Sequence, residues 1–216
     1  LGAAYPLEFV KELYADPELI IVGAINPLGK AVSVDGGYLV SGQWPFGSGI
    51  HNADYFWGQC TIHANGEVVK DKNGPVTCEA LISKSELEVL DTWHVSGLRA
   101  TGSHDVRVKE VLIPDERISQ VARRPMRQEG TLYRLPFNTR LAYNKVGVAT
   151  GIARAAIGHF KDLADEKTPR GFANRLRERS DAQYAIADAE YILGSARSFV
   201  FEQVSEIWDT VDRGDA

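Results

Sequence analysis

Cysteine is scarce: the 216 residues hold only Cys60 and Cys78. That separation is not the short paired spacing of a zinc or redox site, so both read as buried free thiols. Few cysteines also fit a reducing, cytoplasmic setting. Long apolar runs are missing. None approaches the ~20 residues needed to span a bilayer, and no secretory leader is visible. Positive charge is not in excess either. Lys and Arg number 24 against 29 Asp and Glu, a net charge of −5, which argues against nucleic acid, whose phosphates call for a basic face. Basic residues do cluster at Arg123, Arg124 and Arg127, and at Arg170, Arg175, Arg177 and Arg179. Glu166, Glu178 and Asp181 dilute the second group, and both read as solvated surface. The histidines (His51, His63, His94, His104, His159) show no metal-ligand spacing. HExxH, GxSxG and Walker patterns are absent, which removes zinc-protease, serine-hydrolase and P-loop signatures. There is no internal repeat and no low-complexity stretch.

What is present is a chain that changes period partway. Hydrophobic residues make up 44%, enough to bury a core in one large domain or two small ones. Leu7, Val10, Leu13 and Tyr14 recur at helical spacing, with Pro6 at the start and Asp16-Pro17 as the stop. The next hundred residues read as short strands. Ile20-Ile21-Val22 is a buried run, Asp35-Gly36-Gly37 a hairpin turn, Tyr55 to Ile62 and Val76 to Ile82 strands, and Asn65-Gly66 and Asn73-Gly74 further turns. Val106, Val108, Val111 and Ile113 make another strand, ended by Pro114. Many short strands at regular spacing mean a β-sandwich or barrel. From about residue 136 the spacing turns helical: Leu141, Val148, Ile152, Ala156 and Phe160 share a face, and Thr168 to Gly171 break it. Ser180 to Val211 is a second long helix, with Ile186, Tyr191, Leu193, Phe199, Val200, Val204, Ile207 and Trp208 as anchors. Two such helices do not close a core alone; they want more helices or a second subunit. The start at Leu1 and the polar stop at 212–216 read as a piece of a longer protein.

Three segments have the residue types for ligand chemistry. In Gly42 to Gly49 a strand ends in two aromatics and then a small-residue turn with one hydroxyl. Glycine admits a flat ligand close to the backbone, aromatics supply a stacking wall, and a serine can donate to or accept from a ring nitrogen. The bland alternative is a turn with core aromatics. In Gly97 to His104, backbone N–H groups and hydroxyls could cradle an anion and Arg99 could pair with a phosphate; an ordinary polar turn would look the same. Asn26 to Ala31, after a buried strand, is placed where ligand contacts gather, or is a plain turn. Gly147 to Gly151 reads as small-residue helix packing.

In order and spacing these segments resemble the acyl-CoA dehydrogenase superfamily. The stretch GGYLVSGQWPFGSGIHNADY, ending at Tyr55, is similar to the family's flavin-binding strand and turn, G-x-Y followed by G-x-K-x-W-I-T-N. GLRATGSHDVRVKEVLIP, residues 97–114, is similar to its G-x-R-x-S-x-T…V-x-V-P segment. The helix ending in IADAEYILGSAR resembles a long helix of its C-terminal bundle. The resemblance runs over about residues 19–213. It implies an α+β multidomain fold: the end of an N-terminal helical domain at 1–19, a flavin-binding β-barrel middle domain at 20–120, a linker at 121–135, and the first helices of an incomplete C-terminal bundle at 136–216. It also implies bound flavin and a homotetramer.

The departures point to the two-component flavin hydroxylases. Ile25-Asn26-Pro27 stands where dehydrogenases carry T-E-P, and Pro27 to Ala31 is similar to the hydroxylase P-x-G-x-A. Phe46-Gly47-Ser48-Gly49 is similar to F-x-S-G, and LRATGS to L-R-G-T-G-S with Ala100 in place of a glycine. Glu166-Lys167-Thr168-Pro169 replaces the R-K-T-F-G that grips FAD, which favours FMN while leaving FAD open. No Asp or Glu lies between Pro136 and Thr150, where some dehydrogenases place their base. The resemblance therefore implies a monooxygenase that takes reduced flavin from a separate flavin reductase and hydroxylates an aromatic or similar small substrate. It assigns Asn26, Gly29, Phe46, Gly47, Ser48, Arg99, Thr101 and Ser103 to flavin and His51 and Asn52 to substrate, with the catalytic acid or base beyond residue 216. An acyl-CoA dehydrogenase using FAD, or a non-catalytic assembly relative, are the alternatives.

Overall fold

Turn chemistry sets the first half of the chain. Asn65 and Gly66 both take positive φ (52° and 84°), the pairing that a tight hairpin turn requires. Gly36 does the same (79°) at the Asp35-Gly36 turn. The structure is a computed structural model that describes residues 2–121 and 126–215, and of Phe137 and Asn144 the backbone only. Arg123 and Arg124 of the first basic cluster lie outside the described residues. The chain divides into two compact units, residues 1–129 and 130–216.

Unit 1 opens with helix α1 (Leu7–Leu13) and continues as strands β1 (Ile21–Val34), β2 (Gly37–Trp44), β3 (Tyr55–Ala64), β4 (Glu67–Val68), β5 (Lys70–Asp71), β6 (Gly74–Pro75), β7 (Thr77–Ser83), β8 (Glu88–Leu90), β9 (Asp105–Pro114) and β10 (Ile118–Ser119). The hydrogen-bonded order is β10-β7-β3-β1-β2-β9-β8, with β4 on β3 and a separate β5–β6 pair. Among the described residues only β1 and β3 run parallel; the other pairs are antiparallel. The sheet wraps one core drawn from β1, β2, β3, β7 and β9, including Ala31, Val40, Trp44, Phe56, Cys60, Ile82, Val106 and Ile113. Mixed α+β with a sheet-rich first part and a helical end is thus the architecture. The ladder runs from β10 to β8.

The expected loop at Asn26 to Ala31 is a bulge inside one long strand. Ala24 pairs with Gly58 and Gly29 with Cys60, so residues 25–28 oppose Gln59 alone. A bulge tolerates Pro27, which has no N–H for the ladder. Beneath it the Trp44 indole is seated in a slot made by three strands. A Cβ on Gly29, Gly42 or Gly58 would come within 2.3, 2.8 or 3.1 Å of that ring. The indole also donates to the Gln59 carbonyl at 2.8 Å and lies 5.5 Å from the Phe56 ring.

Two polar devices brace the sheet. Glu79 is fully buried. Its carboxylate accepts from the Ser119 hydroxyl (2.9 Å), the Val121 N–H (3.0 Å) and the Gln59 amide (3.4 Å). Burial raises the pKa of Glu79 and also that of the neighbouring Tyr5. At the corner after β7, Ser83 and Glu86 form a reciprocal cap and Arg117 grips both Glu86 oxygens, at 2.9 and 2.8 Å. Cys60 and Cys78 face each other across β3 and β7 as buried free thiols.

Unit 2 holds α2 (Thr131–Arg134), α3 (Phe137–Glu166) and α4 (Ser180–Arg213). Arg134 pairs with Asp212, Arg154 and Lys161 with Glu190, and Arg177 with Asp165, so α3 and α4 run antiparallel. Ile157, Ala164, Ala182, Leu193 and Val211 are buried. Tyr191, Phe199, Val204 and Trp208, read from sequence as anchors, are exposed. In the second basic cluster, Arg177 and Arg179 pair with Asp165 and Asp181. No described helix is long and apolar enough to cross a membrane.

Candidate functional site

The turn after β2 and the turn before β9 are zipped together by backbone bonds. Gly47 N–H donates to the His104 carbonyl (2.9 Å) and Gly49 N–H to the Thr101 carbonyl (3.1 Å). Gly47 must be small: a Cβ there would stand 2.9 Å from both the His104 oxygen and Val106. Gly49 has φ +80°, open to glycine without strain. From below, the Lys84 ammonium donates to the Ile50 carbonyl, and burial lowers the Lys84 pKa.

Phe46 is the strained residue of this turn. Its φ is +61° and its ring is 63% exposed, a conformation that costs on the order of 1 kcal/mol or more for a bulky side chain. The ring meets Trp93 edge-on at 6.1 Å, and Trp93 in turn donates to the Leu98 carbonyl at 3.1 Å. Between the turns runs a line of hydroxyls. Ser48 Oγ lies 2.7 Å from Ser103 Oγ, Ser103 Oγ lies 2.7 Å from Thr101 Oγ1, and Thr101 Oγ1 donates to the Leu98 carbonyl at 3.0 Å. Ser48 is exposed and Ser103 is buried.

His51 follows in a short 3-10 turn, Ile50–Asn52, and packs edge-on against His104 at 5.0 Å. The backbone N–H groups of Thr92 and Trp93 both donate to His104 Nδ1 at 3.2 Å. The same nitrogen lies 3.4 Å from the Asp91 carboxylate. Among the described residues no cluster of His, Cys, Asp and Glu could hold a metal ion.

The structure therefore brings the turn that carries Phe46, Gly47, Ser48, His51 and Asn52 beside the turn that carries Arg99, Thr101 and Ser103. Arg99 is exposed and makes no ion pair among the described residues. Asn26 lies in the β1 bulge and Gly29 closes it. Asn26 is exposed there, while Gly29 is buried and spaces Trp44 from Cys60. Sequence reasoning gave no role to Trp93, His104 or Lys84. His104 stood inside a quoted motif but carried no spacing signal, and Trp93 lies in an irregular stretch with no periodicity.

The fold is acyl-CoA dehydrogenase-like. Residues 144–216 match the family described as acyl-CoA dehydrogenase, C-terminal domain. Over 217 aligned residues the chain is 31% identical to an indole-3-acetate monooxygenase of Pseudomonas putida, covering 99% of this chain and 53% of that protein. It is 34% identical to the flavin-dependent monooxygenase oxygenase subunit HsaA of Mycobacterium tuberculosis, covering 88% of this chain and 49% of the relative. The crystal structure of 3-HSA hydroxylase from Rhodococcus sp. RHA1 superposes with a TM-score of 0.82 at 22% identity, over 98% of this chain and 55% of that one. The chain is thus similar to flavin-dependent monooxygenases, and it spans about half the length of the curated relatives it matches.

Proposed function

We propose that this chain is the flavin-binding part of the oxygenase component of a two-component monooxygenase. The observation that carries the reading is Phe46, an aromatic held outward at a strained positive φ beside the exposed Ser48 hydroxyl, which is backed by the buried Ser103 hydroxyl. Backbone strain at an exposed aromatic is what a preorganised ligand platform costs. The donor set, an aromatic wall with hydroxyls and no metal cluster among the described residues, fits a flat heteroaromatic ring carrying polar nitrogens.

When bound, reduced flavin supplies the electrons that let O2 deliver one oxygen atom to an electron-rich aromatic substrate. In this reading Phe46 covers a ring face and keeps water off it, Gly47 lets the backbone approach, and Ser48 holds the central ring nitrogen. Arg99 serves the flavin phosphate, while Thr101 and Ser103 shape the loop. Asn26 lines the ring from the β1 bulge, and Gly29 lets that bulge sit close. His51 and Asn52 face the substrate, and the catalytic acid or base lies beyond residue 216. Glu166, at the end of α3, favours FMN over FAD. The relatives' designation as oxygenase subunits supports a separate flavin reductase as partner.

The same reading takes residues 1–19 as the end of a helical domain, 20–120 as a barrel-like middle domain, 121–135 as a linker and 136–216 as the first helices of a bundle. The exposed Tyr191, Phe199 and Trp208 would be covered in a homotetramer in the cytoplasm. The test supplies the full-length protein with reduced FMN, 18O2 and a panel of phenols and indoles. A product carrying one 18O atom is expected. Oxidation of an acyl-CoA thioester with no oxygen incorporation would overturn the reading.

A further inference from the structure

We infer that Thr101 and Ser103 are positioning residues that fix the Ser48 hydroxyl as a hydrogen-bond acceptor, so that the site takes a ring presenting an N–H in preference to one presenting a lone pair. The inference rests on the flavin reading above and adds a direction to it.

Each hydroxyl has one proton to give. A carbonyl oxygen can only accept, so the 3.0 Å contact from Thr101 Oγ1 to the Leu98 carbonyl uses the Thr101 proton. The 2.7 Å contact between Thr101 and Ser103 must then be made by the Ser103 proton. The 2.7 Å contact between Ser103 and Ser48 must in turn be made by the Ser48 proton. The opposite order would leave two oxygen lone pairs facing each other at Leu98. Ser103, the middle member, is 4% exposed, so water does not supply an alternative partner. Three contacts consume three protons. Ser48, exposed at the open end, is left with lone pairs alone.

A reduced flavin carries a proton on its central ring nitrogen, and the oxidised form carries a lone pair there. The line of hydroxyls therefore discriminates between two redox states of one ligand through residues that need not touch it. One hydrogen bond gained against one lone-pair clash is worth about two- to tenfold in relative affinity.

The test measures anaerobic dissociation constants of the full-length protein for dithionite-reduced FMN and for oxidised FMN, and reads their ratio. Wild type is expected to favour the reduced form. Thr101→Val is isosteric and removes the terminal donor, which frees the Ser103 proton to turn toward Ser48; the preference should fall about two- to tenfold. Thr101→Ser, which keeps the hydroxyl, should retain it. In a Ser48→Ala background, Thr101→Val should leave the ratio unchanged, since its effect passes through Ser48. An unchanged ratio in folded Thr101→Val overturns the inference, as does a shift of equal size in both backgrounds. Failure of wild type to bind either form overturns the flavin reading itself and the inference with it.

Discussion

Glu79 lies wholly out of water in the middle of a sheet. Burial raises its pKa more than the Val121 N–H, the Ser119 hydroxyl and the Gln59 amide lower it. A carboxylate whose folded pKa exceeds its unfolded value, about 4.3, binds more protons in the folded state across the interval between them. Its contribution to stability is complete below that interval and is lost as pH rises through it. Glu79→Gln keeps the shape and removes the charge. The variant is expected to equal or exceed wild type at pH 7, by on the order of 1 kcal/mol, and to lose that advantage below about pH 4. Urea midpoints measured across this range decide it; a variant less stable at every pH would show that the ionised carboxylate is needed.

At the scale of the element, the corner between β7 and β8 behaves in the opposite sense. Burial works against ionisation of Glu86, yet the Arg117 guanidinium and the Ser83 N–H together hold its pKa below the usual carboxylate range. This stability is present above about pH 4.3 and is lost as pH falls through the lowered value. Glu86→Gln should cost roughly 1–3 kcal/mol at pH 7, because Arg117 is left partly buried without its charge partner. Chemical denaturation should show the two proteins converging as pH falls through the lowered Glu86 value; a constant gap would assign the loss to packing.

Elements with local causes were legible in the sequence. The turns at Asp35-Gly36 and Asn65-Gly66, the α3 and α4 helices and β9 lie close to where turn residues and periodicity put them. The β1 bulge was not, because Pro27 and Gly29 read as a loop when no partner strand is in view. The Trp44 slot depends on glycines from three strands, and nothing local announces that Gly29 and Gly58 serve the same ring. The two site turns were legible as motifs. Their union through Gly47, Gly49, Thr101 and His104 is a tertiary fact, and so is the buried position of Ser103.

The whole molecule joins two units whose pairings differ in reach along the chain. Unit 2 is a helical hairpin whose two long helices are joined by residues 167–179. In unit 1, Gly37 pairs with Pro114 and Ala80 with Ile118, and the parallel β1–β3 pair encloses β2 between its members. Closing such distant contacts costs chain entropy before any core is gained. Sheets of this kind fold in roughly milliseconds to seconds, and helical hairpins in microseconds to milliseconds. Stopped-flow refolding of a Trp208→Phe variant, which keeps Trp44, Trp57 and Trp93 as reporters in unit 1, should therefore show tryptophan burial lagging behind the helical circular-dichroism signal. Simultaneous recovery would mean that the helices wait for the sheet. During synthesis the same topology imposes an order of events. Gly37 can pair with Val34 as soon as both emerge, but the other edge of β2 has no partner until β9 and Pro114 follow, and in that interval Val40 and Trp44 are open to chaperones, to proteases and to other nascent chains.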